Sequence, residues 1–273
     1  MLKTRIITAV ILGPLVLAAI IFLSPLYFAV FSAVVLALGA WEWGDLSGLP
    51  PRSRIFFSGA VLLAFQALWN FDAEVQRSLL HASVVLWGII FWWIKTYPAS
   101  AEMWGSTLKR TFLGLFILSF AWLSLNLLKQ DENGVFLIFL LLAMVWGADI
   151  GAYFSGRKWG DRKLAPQVSP GKTWAGVYGA LVATVAVTLL MLLFSNFLDT
   201  ADGGSWLLFA LLAVFITAVS IVGDLAESMV KRHRGVKDSG KLLPGHGGIM
   251  DRVDSLVAAL PLYTIALIQM GHL

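Results

Sequence analysis

The stretch WLLFALLAVFITAVSIVGDLA, Trp206–Ala226, contains no charged residue before Asp224 and indicates the kind of fold this chain adopts. A segment of about 20 apolar residues can cross a bilayer as a helix, because every backbone N–H and C=O group is then bonded within the segment. Eight further apolar stretches are bounded by charged residues, Pro or Gly. They are Ile6–Leu23, Leu26–Trp43, Ile55–Trp69, Leu79–Ile94, Phe112–Leu128, Val135–Phe154, Trp174–Phe197 and Val253–Met270. The sequence therefore predicts an all-α, polytopic integral membrane protein with about nine transmembrane helices.

The composition is typical of a chain that is solvated by lipid. Of the 273 residues, 59% are hydrophobic and 13% are charged, and the mean hydropathy is +0.81. A soluble globule of this size needs more polar residues to cover its surface. The first apolar stretch follows Lys3 and Arg5 and continues without a convincing small-residue cleavage site, so a retained helix is predicted rather than a signal peptide. Because cysteine is absent, disulfides, thiolate chemistry and cysteine-ligated metal sites are excluded.

The distribution of Lys and Arg predicts the orientation in the membrane. If the N-terminus is cytoplasmic and nine helices cross the membrane, only two of the twenty Lys and Arg residues, Arg77 and Lys129, fall on the side away from the cytoplasm. Basic loops are retained on the cytoplasmic side, so this distribution favours nine spans and a cytoplasmic N-terminus. We therefore expect one membrane domain, residues 1–273, with its N-terminus on the cytoplasmic side. Its active site is expected to face the cytoplasm and to lie in the C-terminal half, residues 135–273.

Four aspartates share a position at the predicted cytoplasmic ends of membrane helices. They are Asp149, Asp224, Asp251 and Asp254. A carboxylate at membrane depth is costly, so such residues are candidates for a functional site. On a helix, the residues that share a face with Asp224 are Glu227, Ser228 and Lys231. Two acid-bearing helix ends could bind Mg²⁺, which prefers oxygen ligands; that the acids only pair with nearby cations stays an alternative, chiefly for Asp149 and Asp254.

The segment between the last two apolar stretches is rich in cations and glycines. Its basic residues are Lys231, Arg232, Arg234, Lys237, Lys241 and Arg252. This density of positive charge suits a polyphosphate, although topology alone also produces basic cytoplasmic loops. The glycines Gly240, Gly245, Gly247 and Gly248 would let backbone N–H groups approach phosphate oxygens. His246 is predicted to hydrogen-bond a phosphate or a water molecule, because no second His lies at metal-ligand spacing.

A second polar segment ends in SPGKT, residues 169–173. Its Gly-Lys-Thr ending is similar to that of a P-loop, but Pro166 stands where that motif needs Gly and no strand is predicted before it, so a P-loop fold is excluded. A polar turn with a Lys at a helix N-terminus can still bind an anion. We therefore predict that Ser169, Lys172 and Thr173 bind the substrate. The alternative that this turn only caps the following helix stays open.

The segment from Ser228 to Asp254 resembles, position for position, the signature of the phosphatidate cytidylyltransferases, also called CDP-diacylglycerol synthases. It begins with SMVKR at residues 228–232 and continues through Lys237 and Asp238. It ends with PGHGGIMDRVD at residues 244–254.

The resemblance implies a role in phospholipid biosynthesis, in which a cytidylyl group passes from CTP to phosphatidic acid and gives CDP-diacylglycerol and pyrophosphate. It implies that Asp224 and Asp251 bind Mg²⁺, and Asp149 is a third candidate ligand of this ion because of its position. A monovalent cation such as K⁺ is a candidate for a second bound ion. The residues expected from their chemistry to act in catalysis are Asp224, which precedes the signature, and the signature residues Asp251, Lys231, Arg232, Lys237, Asp238, His246 and Arg252. Those expected to bind substrate are Ser228, Gly247, Gly248 and Asp254. The resemblance also implies a homodimer among the lipids of a bacterial cytoplasmic (inner) membrane, and no nucleic-acid partner is expected.

The expected mechanism is an in-line attack of the lipid phosphate on the α-phosphate of CTP. Its main barrier is the approach of two anions, which metal ions and basic side chains would lower. A CTP-dependent lipid kinase is one alternative, and it would release CDP rather than pyrophosphate. A cation transporter is another, but it should place acids at mid-membrane or on both sides, whereas here they cluster on one predicted side beside cations.

Overall fold

The computed structural model describes residues 2–195, 197 and 203–273, and most of these residues are helical. In chain order the helices are α1 (Leu2–Phe22), α2 (Pro25–Ser47), α3 (Pro51–Trp69), α4 (Ala73–Thr96), α5 (Ala101–Trp104), α6 (Thr107–Gln130), α7 (Gly134–Trp159), α8 (Trp174–Leu193), α9 (Gly203–His233) and α10 (Met250–Gln269). Two short strands, β1 (Lys163–Ala165) and β2 (Ser169–Thr173), form an antiparallel hairpin between α7 and α8.

Nine helices in the described parts of the chain have at least 19 residues, and they coincide with the nine predicted apolar stretches. Six of them, α2, α4, α6, α7, α8 and α9, are long and apolar enough to cross a membrane. The predicted all-α, polytopic membrane architecture is thereby confirmed, while nine spans and a cytoplasmic N-terminus stay predictions. Met1, Asn196 and residues 198–202 lie outside the described residues. The predicted stretch Trp174–Phe197 is helical only as far as Leu193.

Two helices that carry predicted site residues are longer than their apolar stretches. α7 continues past Phe154 to Trp159, and α9 continues past Ala226 to His233. A helix satisfies its own backbone hydrogen bonds, so it can extend beyond the apolar layer into polar sequence. Positive side chains in the last turn also suit the negative end of the helix dipole. These residues are Arg157, Lys158, Lys231, Arg232 and His233.

The SPGKT segment is not the polar turn that the sequence predicts, because it forms strand β2. Thr173 pairs with Lys163, and Ser169 pairs with Ala165. The backbone N–H of the following residue, Trp174, donates to the carbonyl oxygen of Arg162 at 2.9 Å and closes the base of the hairpin. Gly and Pro in this segment disfavour a strand locally. Pairing with β1 overrides that preference.

The exterior of the helical bundle is apolar. Phe22, Phe56 and Phe194 expose 80%, 78% and 83% of their surfaces, whereas Phe65 and Trp122 are buried and stack with ring centroids 4.8 Å apart. A soluble protein rarely leaves so many large apolar side chains in contact with water. This surface therefore fits contact with lipid acyl chains.

Glycine residues bring α7 and α8 close together. A methyl group at Gly151 of α7 would overlap the carbonyl oxygen of Gly179 in α8 and would lie 2.7 Å from the Cβ of Ala183. Small residues at such a position let two helix backbones approach each other within a membrane. The contact holds the N-terminal half of α8 beside the C-terminal half of α7, where Asp149 lies.

We expect Gly151→Ala to destabilise the protein, because the added methyl group meets backbone that cannot move without shifting α8. Overpacking of this kind costs about 1–3 kcal/mol and should lower the melting temperature of the purified protein in detergent. Gly59→Ala in α3 is the control, since no described atom beyond the neighbouring backbone of α3 lies within 4 Å of the added Cβ there. Equal melting temperatures for the two variants would contradict the close α7–α8 contact.

Candidate active site

A cavity of about 410 Å³ lies where α7, the hairpin, α8, α9 and α10 meet. Its charged and hydroxyl-bearing wall residues are Asp149, Tyr153, Arg157, Lys172, Thr173, Ser220, Asp224 and Ser255. The rest of its wall is mostly small or apolar and includes Ala148, Ala152, Val177, Ala180 and Ile221. A wall of this mixed character suits a ligand with a charged part and an apolar part.

Lys172 and Asp224 form an ion pair in this cavity. The Nζ atom of Lys172 lies 2.6 Å from Oδ2 of Asp224, and the two side chains are 23% and 33% exposed. One helical turn further along α9, the hydroxyl group of Ser228 donates to Oδ1 of Asp224 at 3.2 Å. Charge-assisted contacts of this kind orient both partners. The partial exposure leaves the pair accessible to a ligand in the cavity.

Secondary structure on both sides holds Lys172 in place. Lys172 belongs to β2, and the next residue, Thr173, is the N-cap of α8. The Thr173 side-chain oxygen accepts the backbone N–H of Gly176 at 3.2 Å. Thr173 therefore does cap the helix, as one interpretation of the sequence expects, while Lys172 reaches the acid on α9. Ser169, the third residue predicted to bind substrate here, lies at the other end of β2.

A second ion cluster joins the end of α9 to the start of α10. The Lys231 ammonium group donates to Oε2 of Glu227 at 2.9 Å and to Oδ1 of Asp251 at 2.7 Å. The other carboxylate oxygen of Asp251, Oδ2, accepts the backbone N–H groups of Ser239 and Gly248, each at 2.9 Å. Asp251 therefore balances the charge of Lys231 and also holds the chain between α9 and α10.

The two aspartates that are predicted to bind metal contact different lysines. Asp224 contacts Lys172, whereas Asp251 contacts Lys231. Asp149 lines the same cavity as Asp224. Among the described residues, no group of three or more Asp, Glu or His side chains forms a ready metal cage. A divalent ion would therefore depend on one or two carboxylates together with oxygen atoms of substrate and water, which is how Mg²⁺ commonly binds.

Asp254 lies on α10, one turn beyond Asp251. Its carboxyl group adjoins that of Glu227 on α9, and its Oδ1 atom accepts the backbone N–H of Ser255 at 2.7 Å. At Gly223 the two helices approach closely, because a methyl group there would lie 2.6 Å from the carbonyl oxygen of Asp254. The structure thus places Asp254 inside the α9–α10 contact, and it forms no salt bridge with any of the described residues.

Two arginines of the signature are anchored to backbone carbonyl groups. Nε of Arg232 donates to the carbonyl oxygen of Val168 in the hairpin at 3.2 Å. Nε and Nη2 of Arg252 both donate to the carbonyl oxygen of His246, at 3.2 and 2.9 Å. Each guanidinium group has five N–H donors, so both retain capacity for a further acceptor.

A second cavity, of about 630 Å³, lies between α2 and the chain that follows α9. Lys237 and Asp238 line this cavity rather than the one that contains Asp224. Gly247 has a φ of +84°, and a methyl group there would lie 2.7 Å from Oδ2 of Asp251. Nδ1 of His246 is buried and has no hydrogen-bond partner among the described residues. Of the residues predicted as one site, Asp149, Lys172, Thr173 and Asp224 therefore line the first cavity, and Lys237 and Asp238 line the second. Asp251, Lys231 and the two signature arginines line neither of these two cavities.

Glu42 of α2 also belongs to this region, although it is not among the residues predicted from the sequence. It is 2% exposed and accepts hydrogen bonds from Ser239 and Met250. The sequence does indicate that Glu42 is a candidate, because it is an ionisable residue within the apolar stretch Leu26–Trp43. The rule that selects Asp149 and Asp224 selects Glu42 as well.

Comparison with known proteins tests the resemblance. The chain matches the model of the cytidylyltransferase family over residues 3–269. It is 45% identical over 273 residues to the phosphatidate cytidylyltransferase of Pseudomonas aeruginosa, with 99% of this chain and 98% of the relative covered. It is 39% identical over 284 residues to the phosphatidate cytidylyltransferase of Haemophilus influenzae, with coverage of 97% and 98%. These matches confirm the resemblance, and the chain belongs to the cytidylyltransferase family.

Proposed function

We propose that this protein is an integral membrane enzyme that transfers the cytidylyl group of CTP to phosphatidic acid, giving CDP-diacylglycerol and pyrophosphate. Relatives aligned over nearly the whole chain are named phosphatidate cytidylyltransferase. The observation that carries the proposal is the Lys172–Asp224 pair in a cavity whose wall combines charged and hydroxyl-bearing residues with small and apolar ones. Such a site within a helical membrane protein suits a substrate with a phosphate head group and acyl chains.

In the proposed reaction, an oxygen atom of the lipid phosphate attacks the α-phosphorus of CTP. A new P–O bond forms as the bond from the α-phosphorus to the oxygen that bridges to the β-phosphate breaks, and pyrophosphate leaves with that oxygen. The attacking oxygen is already anionic, so little proton transfer is required. The task of the protein is to hold two anions in line and to balance their charge.

Basic side chains of the site would perform this task. Lys172 is partly exposed and can exchange its contact with Asp224 for a phosphate oxygen. Arg157 lines the same cavity. Arg232 and Arg252 are each anchored to one carbonyl group, and their remaining N–H groups suit phosphate oxygens. We propose that Lys231, Lys237, Asp238 and His246 contribute indirectly. They belong to the end of α9 and to the segment between α9 and α10, which positions Asp251.

The residues around Asp224 fit a magnesium ion. Asp224 is 33% exposed, Asp149 lines the same cavity, and the position beside Asp224 already accommodates a positive group, the Lys172 ammonium. We propose that Asp224 and Asp251 hold Mg²⁺, with Asp149 as a third candidate ligand, and that the ion supplies positive charge to the triphosphate. The hydrogen bonds of Asp251 also support an anchoring role. A monovalent cation such as K⁺ is a further candidate at this site.

The proposed setting is a bacterial cytoplasmic membrane, with the cavity open to the cytoplasm and the enzyme acting as a homodimer. The distribution of Lys and Arg supports this orientation. CTP would then reach the site from the cytosol, and phosphatidic acid would reach it from the inner leaflet.

The proposed activity is tested with purified protein, phosphatidic acid and CTP that is labelled at the α-phosphate. We expect magnesium-dependent transfer of the label to lipid, with an equal amount of pyrophosphate released. A CTP-dependent lipid kinase would instead leave the label in CDP, and a cation transporter would give neither product. Failure to form a lipid-linked cytidine at saturating substrate would reject the proposal.

Magnesium titrations of single variants test the metal ligands. We expect Asp224→Asn to lower activity by at least about a hundredfold at ordinary magnesium and to raise the concentration needed for half-maximal activity. Asp251→Asn should shift the magnesium dependence if Asp251 is a ligand, but should only lower the melting temperature and the maximal rate if it is an anchor. Asp161→Asn is the control, because this exposed residue next to the hairpin does not line the cavity. A wild-type magnesium profile for Asp224→Asn would contradict the assignment.

Lys172→Met should lower kcat/KM by about ten- to a hundredfold, because a charge-assisted contact to a phosphate is lost. Lys163→Met is the matched control, since Lys163 is an exposed lysine on the paired strand of the same hairpin. Steady-state rates measured against CTP and phosphatidic acid separately would show which substrate Lys172 contacts. If the two variants had equal kcat/KM values, Lys172 would have no role beyond its contact with Asp224.

A further inference from the structure

The α9–α10 loop, residues 234–249, is held by a carboxylate from a distant helix at two points, one in its first half and one where it meets α10. Oε2 of Glu42 in α2 accepts the hydroxyl hydrogen of Ser239 at 3.3 Å and the backbone N–H of Met250 at 3.0 Å. Ser239 lies in the first half of the loop, and Met250 is the first residue of α10. One carboxylate oxygen therefore joins two points that lie eleven residues apart in the sequence.

Two glycines of the loop leave the space that the Glu42 carboxylate occupies. A methyl group at Gly240 or at Gly248 would overlap the carboxylate oxygens of Glu42. Glu42 is only 2% exposed, so the loop closes around it on both sides. A charged group is costly to bury unless it is hydrogen-bonded, and here the loop supplies the hydrogen bonds.

Ser239 connects Glu42 to the ion cluster of the site. Its hydroxyl group donates to Glu42 and accepts the backbone N–H of Asp251 at 3.3 Å. Its own backbone N–H donates to Oδ2 of Asp251 at 2.9 Å. The other oxygen of Asp251 contacts Lys231 at 2.7 Å. A continuous path of hydrogen bonds thus leads from α2 to the Asp251–Lys231 pair.

The part of α2 that carries Glu42 is itself fixed against other helices. The indole N–H of Trp43 donates to the carbonyl oxygen of Arg110 in α6 at 2.8 Å. A methyl group at Gly39 would lie 3.2 Å from Sδ of Met250, so α2 also lies close to the start of α10. Because its neighbours in the sequence are held in this way, Glu42 offers the loop a rigid support.

We propose that Glu42 is a positioning residue, which acts through Ser239 and the N-terminus of α10 to hold the α9–α10 loop and to keep Asp251 against Lys231. The kinetic consequences rest on the proposed function. The structural consequences concern the loop alone and can be measured without an activity assay.

Limited proteolysis measures the loop directly. Lys237 and Lys241 are exposed loop residues at which trypsin can cut. We expect Glu42→Ala to increase the initial rate of cleavage at these lysines about tenfold or more, because the loop then opens locally more often. Asp45→Ala is the matched control, since Asp45 lies one turn further along α2, its side chain is 50% exposed and its ion pair is with Arg54 of α3. Its cleavage rate should match that of the wild type.

Substitution by glutamine separates hydrogen bonding from charge. Oε1 of Glu42 has no hydrogen-bond partner among the described residues, so Glu42→Gln can keep an oxygen at the Oε2 position and accept both hydrogen bonds. We expect Glu42→Gln to stay within about threefold of the wild-type kcat, whereas Glu42→Ala and Ser239→Ala should each lower kcat about tenfold or more with little change in the KM for CTP. Because both residues act along one path, the double variant should be no slower than Glu42→Ala alone.

Three results would overturn the proposal. They are wild-type cleavage and kcat in Glu42→Ala, full additivity with Ser239→Ala, and faster cleavage at all exposed loops together with a lower melting temperature, which would indicate general destabilisation. If Glu42→Ala does not fold, Ser239→Ala carries the same cleavage and kcat tests, with Glu42→Gln as the variant that is expected to stay near the wild type. If the wild type forms no lipid-linked cytidine, the proposed function fails, while the cleavage rates still decide the role of Glu42.

Discussion

The Lys231 ammonium group connects the two helices on which the rest of the site depends, because it is shared by Glu227 of α9 and Asp251 of α10. A largely buried cation needs opposite charge nearby, and removal of one partner from such a contact is strongly destabilising. Here the two acidic partners belong to different helices, so the shared contact with Lys231 also holds the first turn of α10 beside the last turns of α9. One cavity lies beside these helices, and the other lies beside the loop that joins them.

The helices could be predicted from the sequence because a bilayer restricts the chain so strongly. Each predicted apolar stretch coincides with one long helix, since a segment in lipid must satisfy its own backbone hydrogen bonds. The polar parts of the chain are not restricted by the bilayer in this way, so their structure could not be predicted from the sequence. The hairpin depends on pairing between Lys163 and Thr173 across a turn, and the extensions of α7 and α9 lie in polar sequence, where hydropathy carries no information.

Which residues belong to the site could be predicted from the sequence better than which of them contact each other. Helical spacing correctly placed Ser228 beside Asp224 and Lys231 beside Glu227, because residues four apart on one helix are neighbours. Contacts between helices follow from tertiary packing, so the partnership of Lys172 with Asp224 had no sequence signature. Glu42 differs in this respect, because its position within an apolar stretch marks it as a candidate, whereas its partners Ser239 and Met250, about two hundred residues away in the chain, follow only from tertiary packing.

The strand that bears Lys172 restricts how this family of chains can vary in length. Successive side chains of a strand point to opposite faces, and β2 ends directly at the residue that caps α8. Insertion or loss of one residue between Ser169 and Thr173 would either turn the ammonium group away from Asp224 or remove the cap. Alignment gaps among related chains should therefore fall outside β2, and a variant sequence with a gap inside it would need another cation to reach α9.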